Sequence, residues 1–160
     1  MTMDSATVRF ITRWPPNPTS LVIARLGGSK IFSHCIVIID GLAYESTMLH
    51  GCRVVPVSVA MRGTASYQDM TVPIADKSAA IKFGLAQDGK GYDYAGAFGL
   101  PFLASEDWAD DSKWWCSEHN FMMLGAGGTW LLDPAVHKRI TPEHMRMCNY
   151  QKSKIIKLPA

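Results

Sequence analysis

The run Ile31-Phe32-Ser33-His34-Cys35-Ile36-Val37-Ile38-Ile39, followed at once by Asp40-Gly41, limits what this chain can fold into more than any other stretch. The run is short, apolar and rich in β-branched residues, which suits a strand. Asp-Gly is a strong two-residue hairpin signal, because both central residues of such a turn need a positive φ. Residues 42–48, LAYESTM, then form the return strand. With a two-residue turn Ile39 pairs with Leu42, so Ile36 lies opposite Glu45 and His34 opposite Thr47. Side chains alternate, so His34, Ile36, Glu45 and Thr47 share one face. His34 and Glu45 become diagonal neighbours, roughly 7–8 Å apart at the backbone and within side-chain reach. A three-residue turn would put them on opposite faces. Cys35 points away from His34 and is not expected to be catalytic.

The rest of the chain reads as short elements of both kinds. Residues 6–13 form a first strand, and the Pro-rich segment 14–18 breaks regular structure. Residues 19–30 suit either a short helix stopped by Gly27-Gly28 or a strand. Residues 52–57 and 70–74 are further extended pieces. Residues 76–88 form the clearest helix, capped by Asp76, with Ala79, Ala80, Phe83, Leu85 and Ala86 as its apolar side. Gly89 and Gly91 end it, and residues 90–105 are loop-like. A second helix runs from Cys116 to about Leu124, stopped by Gly125, Gly127 and Gly128. Thr141-Pro142-Glu143 starts a third, holding His144 to Cys148, with Thr141 as cap and Pro142 at the first helical position. The tail KSKIIKLPA supplies a last strand. The class is α+β.

With 160 residues, 48% of them hydrophobic, the chain forms one domain spanning residues 1–160, with its own core. A formal net charge of +2, with basic residues dispersed, gives no argument for a nucleic-acid partner. The longest apolar runs are strand-sized, far short of the roughly 20 residues of a membrane span. The first residues carry no signal-peptide pattern, so the expectation is a chain made and held in the cytoplasm until another route releases it. Cys35, Cys52, Cys116 and Cys148 have no C-x-x-C spacing and are expected as free thiols.

Cys116 follows a polar, turn-prone stretch (Asp110 to Lys113) and two tryptophans, and it opens an apolar helix. A helix N-terminus favours a thiolate through its dipole and its unpaired N–H groups. The same groups can serve an oxyanion. The alternative is a buried core cysteine. A carboxylate at Glu45 would hold the His34 imidazole in one orientation, as the third member of a triad does. The alternative is a surface His–Glu pair. His119 lies one helical turn after Cys116, but no histidine or cysteine has structural zinc spacing, so no metal is expected. His50, His137 and His144 read as ordinary positions. Gly27-Gly28-Ser29-Lys30 lacks phosphate-loop spacing.

The ordered set His34, Glu45, Cys116 resembles the circularly permuted branch of the NlpC-type papain-like cysteine hydrolases, the YiiX/YaeF-like group, and especially bacteriophage-encoded members. In that branch the histidine strand precedes the cysteine helix. The matching blocks are Phe32 to Ile38, Leu42 to Ser46, Gly51 to Pro56, Gly89 to Tyr94, Trp114-Trp115-Cys116-Ser117-Glu118 and Arg139-Ile140-Thr141-Pro142. Together they run from about residue 31 to 146, most of the chain. Two departures stand out: His119 occupies a position that is usually aliphatic, and residues 15–30 do not align.

The resemblance implies an antiparallel sheet or half-barrel packed against the nucleophile helix and additional helices. It implies a thiol hydrolase in which Cys116 attacks, His34 moves the proton and Glu45 orients His34. Tyr92, in the loop before the nucleophile, would line the pocket or donate to the oxyanion, or simply pack. Asp93 and Glu118 would be structural. The implied substrate is an amide in peptidoglycan peptides, met during lysis, infection or virion assembly, with no cofactor. Two other readings stay open: a lipid acyltransferase or esterase of the same permuted type, and a non-catalytic phage structural or assembly protein.

Overall fold

The computed structural model describes residues 4–13, 31–94, 112–135 and 140–159. The expectations for segments 14–18 and 19–30, for residues 95–105 of the loop, for Asp110-Asp111 and for His137 lie outside those residues.

The protein is a mixed α+β structure built on a six-stranded open antiparallel sheet in the order β4-β3-β2-β1-β5-β8. The strands are β1 (Asp4–Arg13), β2 (His34–Ile39), β3 (Leu42–Thr47), β4 (Gly51–Pro56), β5 (Thr64–Ile74) and β8 (Ile156–Lys157). Gly91–Tyr92 (β6) and Lys113–Trp114 (β7) form a separate parallel pair. The helices are α1 (Val57–Ala60), α2 (Lys77–Ala86), α3 (Cys116–Ala126) and α4 (Pro142–Met147).

The β2–β3 hairpin has the register expected from Asp-Gly: Ile39 pairs with Leu42, Ile38 with Ala43 and Val37 with Tyr44. Asp40 and Gly41 both take positive φ, +50° and +79°, as this turn demands. Strand alternation then sorts the core. Val8, Phe10, Cys35, Val37, Ile39, Tyr44, Met70, Val72 and Ile74 point to one face, where Ala80, Phe121, Met123, Leu124 and Met145 of the helices meet them. Ile11, Ile36 and Ala43 point to the other, against Ala60 of α1.

Several boundaries differ from the sequence reading. The second strand starts at His34 rather than Ile31, and its return ends at Thr47 rather than Met48. The strand expected over 70–74 begins at Thr64; its polar half is paired along β1, where Arg9 makes a two-pronged ion pair with Asp69. Val57, read as extended, opens α1. Helix α2 has the expected Asp76 cap, whose carboxylate accepts from the Ala79 N–H at 2.9 Å. It buries Ala80 and Gly84, however, while Leu85 and Ala86 face out. Gly84 lies so close to the Tyr44 ring that a Cβ there would fall 2.4 Å from Cδ1. The absence of a side chain, invisible to apolar periodicity, sets this packing face. Helix α3 passes through Gly125, which lies against the Trp130 ring, and ends at Ala126. Helix α4 covers Pro142–Met147, with Thr141 capping as expected and Cys148 just outside.

Candidate active site

The approach to α3 is fixed from three sides. Tyr92 pairs with Trp114 across the parallel β6–β7 ladder, and the Asp93 N–H donates to the Trp114 carbonyl at 3.2 Å. Ser46 of β3 donates to the same carbonyl at 2.6 Å. The neighbours of Cys116 on both sides then donate to one acceptor, the Ile140 carbonyl: Trp115 Nε1 at 3.0 Å and Ser117 Oγ at 2.6 Å. Ile140 immediately precedes the cap of α4, so that helix start helps to hold the thiol in place.

Cys116 is the first residue of α3, and the cap residue Trp115 makes no side-chain capping bond. Glu118 sits in the first turn, where an acid suits the helix dipole. Helix α3 packs on β2 and β3 at the end where their ladder stops, short of His34. There the sulfur meets the His34 ring, the Cys35 thiol and the Cys35 backbone N–H.

His34 Nε2 lies 2.8 Å from Glu45 Oε2. That nitrogen is engaged by the carboxylate, which leaves Nδ1 for the sulfur. The other oxygen of Glu45 accepts from Arg53 Nε at 2.9 Å and Nη2 at 2.7 Å. Arg13 Nη2 stands 3.8 Å from Oε2. Glu45 is fully buried, while His34 and Cys116 retain 9% and 4% exposure. The carboxylate is therefore internal, while the imidazole and thiol keep a small exposed fraction.

The electrostatics follow from this geometry. Burial opposes a charge on His34, but hydrogen bonds to Cys116 and Glu45 and their charges outweigh it, and the pKa is pushed up to about 9. Burial opposes ionisation of Glu45, yet His34 and Arg53 bring its carboxyl down to about 2. The hydrogen bond from Cys35 draws the Cys116 thiol well below its ordinary range, and against burial His34 adds a hydrogen bond and a charge. Cys35 itself is pushed well up, first by burial and then by Cys116. Both shifts run toward a thiolate paired with an imidazolium, which is the activated form of a cysteine nucleophile.

The structure thus brings together the three residues singled out in the sequence: Cys116, His34 and Glu45. Tyr92 is buried with Trp115, and its hydroxyl is pushed up by burial and by the charge of Cys116. His119 is fully buried beneath the site, beside Phe83 and 3.3 Å from Asn120 Oδ1, and burial lowers its pKa to about 4. His50 is exposed, and His144 completes the α4 capping box with its ring accepting from the Thr141 N–H. Among the described residues, no group of three or more His, Cys, Asp or Glu could hold a metal ion.

Three participants escaped the sequence reading. Arg53 pairs with Glu45 across the β3–β4 ladder, an opposite-charge pair that a second hairpin register would have found. Asn120, one turn after Cys116, donates to Cys35 Sγ at 3.3 Å. Cys35 does take the face away from Ile36, but that is the face on which α3 begins. Its thiol is also shifted by Cys116, a neighbour that strand alternation alone does not assign to it. All four cysteines are free thiols, as expected.

No protein-family model matches this chain, and no curated protein matches it. Among the described residues no helix is long and apolar enough to cross a membrane.

Proposed function

We propose that this protein is a thiol hydrolase with a permuted NlpC-type papain-like fold, cleaving an amide through an acyl-enzyme at Cys116. The observation that carries the reading is the placement of the Cys116 sulfur, at a helix start, beside an imidazole whose far nitrogen is held by the buried Glu45. The thiolate attacks the carbonyl carbon, and the carbonyl oxygen takes the negative charge beside the first N–H groups of α3. The His34 imidazolium gives its proton to the departing amine. Neutral His34 then draws a proton from water, the hydroxide opens the thioester, and Cys116 leaves as thiolate. Glu45, fixed by Arg53, keeps His34 aligned through both halves. Tyr92 lines the wall of the site. The substrate class, peptide amides of peptidoglycan, rests on the family resemblance alone.

The test is limiting iodoacetamide labelling of the folded protein across pH, mapped by mass spectrometry, with His34→Ala alongside. Cys116 should react first, well below the pH at which a free thiol ionises, and lose that lead in His34→Ala. Incubation with peptidoglycan peptides should then release an amine; turnover of acyl lipids instead would reassign the protein to acyl transfer. A Cys116 that stays inert in the folded protein defeats the hydrolase reading and leaves a binding role.

A further inference from the structure

Two reduced thiols, Cys35 and Cys116, are buried side by side where α3 begins against β2. Cys116 opens a helix, and Cys35 is the second residue of β2; both are buried in the same apolar cluster. Asn120 Nδ2 fixes Cys35 Sγ from the same helix that carries Cys116. Cys116 and Asn120 stand one helical turn apart, so α3 presents both on the side that meets Cys35. Of the remaining cysteines, Cys52 lies on β4 and Cys148 follows α4, and neither belongs with this pair.

We propose that Cys35 and Cys116 are a modification site: a hydroperoxide converts them to a reversible disulfide. The Cys116 thiolate attacks the outer oxygen of the peroxide, the O–O bond breaks, and the sulfur becomes a sulfenic acid. The leaving alkoxide or hydroxide takes a proton from His34. The Cys35 sulfur then attacks the sulfenic sulfur, the S–O bond breaks, and the Cys35 proton leaves with the hydroxyl as water. Two electrons pass from the pair of thiols to the peroxide. Reaction at 4% exposure suits hydrogen peroxide, the smallest member of the class. A resolving thiol in contact protects the nucleophile from irreversible oxidation to the sulfinic acid. It also silences the thiol until a reductant restores it. The proposal needs two thiols in contact and holds whether or not the site turns over a substrate.

The experiment treats the folded full chain with hydrogen peroxide, blocks remaining thiols with N-ethylmaleimide and maps the peptides by mass spectrometry. The expected product is a single cross-link joining the Cys35 and Cys116 peptides, two hydrogens lighter, abolished by dithiothreitol. Cys52 and Cys148 should remain alkylated. In Cys35→Ser and Cys35→Ala, whichever folds by circular dichroism, Cys116 should instead gain two oxygens and fail to recover with dithiothreitol. The proposal is overturned if wild-type Cys116 gains two oxygens while Cys35 stays alkylated, if the cross-link joins another pair, or if no thiol is oxidised. Iodoacetamide labelling of the untreated protein separately reports the hydrolase reading.

Discussion

Glu45 holds His34 from across the hairpin, Oε2 to Nε2 at 2.8 Å, and does so from a fully buried position. Neither group has a free rotamer there: the carboxylate is clamped by Arg53 and the ring is trapped against Cys116. The pair therefore sets both the tautomer and the charge of the imidazole.

Replacing that charge while keeping the shape isolates its role. In Glu45→Gln, His34 should titrate well below about 9, read from its ring-proton shifts. The second-order rate of Cys116 alkylation near neutral pH should fall by about 10²-fold or more. An unchanged histidine titration would mean that Glu45 supports only the fold.

The turn is the next point of control. Gly41 has φ +79°, and a Cβ there would meet nothing within 4 Å. Gly41→Ala should thus cost only the left-handed backbone penalty, about 1–2 kcal/mol in chemical denaturation, and leave thiol reactivity intact. Inserting one glycine between Asp40 and Gly41 moves Glu45 to the other face if β3 keeps pairing from the turn. That variant should lose the fast alkylation of Cys116. Retained reactivity would show that β4 and Arg53 hold the register without the turn.

Gly84→Ala should reverse the usual helix-propensity trend. Alanine normally stabilises a helix interior relative to glycine. Here its Cβ would stand 2.4 Å from Cδ1 and 2.9 Å from Cε1 of Tyr44. A stability loss of about 1–3 kcal/mol is expected, with the Tm falling roughly 2–4 °C for each kcal/mol. A Tm that rises would mean that Tyr44 swings away at little cost.

His119 makes the fold acid-sensitive. Its pKa is about 4 in the folded protein against 6.5 unperturbed, so the unfolded chain binds the extra proton between those values. Its contribution is present above about pH 6.5 and is lost as the pH falls toward 4, with a ceiling of about 3 kcal/mol. Glu45 acts in a lower window, from 4.5 down to about 2. Denaturant melts of wild type and His119→Leu across the upper window measure the difference in slope. Parallel curves would remove His119 as the cause.

What could be read in advance was local. Asp40-Gly41, the Asp76 cap and the Thr141-Pro142 start each specify backbone geometry within four residues, and each forms as expected. The His34–Glu45 diagonal follows from the turn by counting. What could not be read depends on partners distant in sequence. Alternation gave the face of Cys35 but not the helix that arrives there. The polar half of β5 lacks an apolar pattern and exists because β1 and β8 pair along it. Gly84 carries no apolar signal, yet it is the surface of its helix that meets Tyr44.

The two halves of the site come from very different distances along the chain. His34 and Glu45 are 11 residues apart, whereas Asn120 and Cys35 are separated by 85. A hairpin of the first kind closes in about 1–10 μs. Contacts of the second kind wait for the chain to collapse around the sheet. A growing or refolding chain thus pairs His34 with Glu45 early, before Cys116 has reached them. Cys116 gains the neighbours that shift its thiol only when α3 docks, so the fast alkylation proposed for it would mark the end of folding in time as well as in structure.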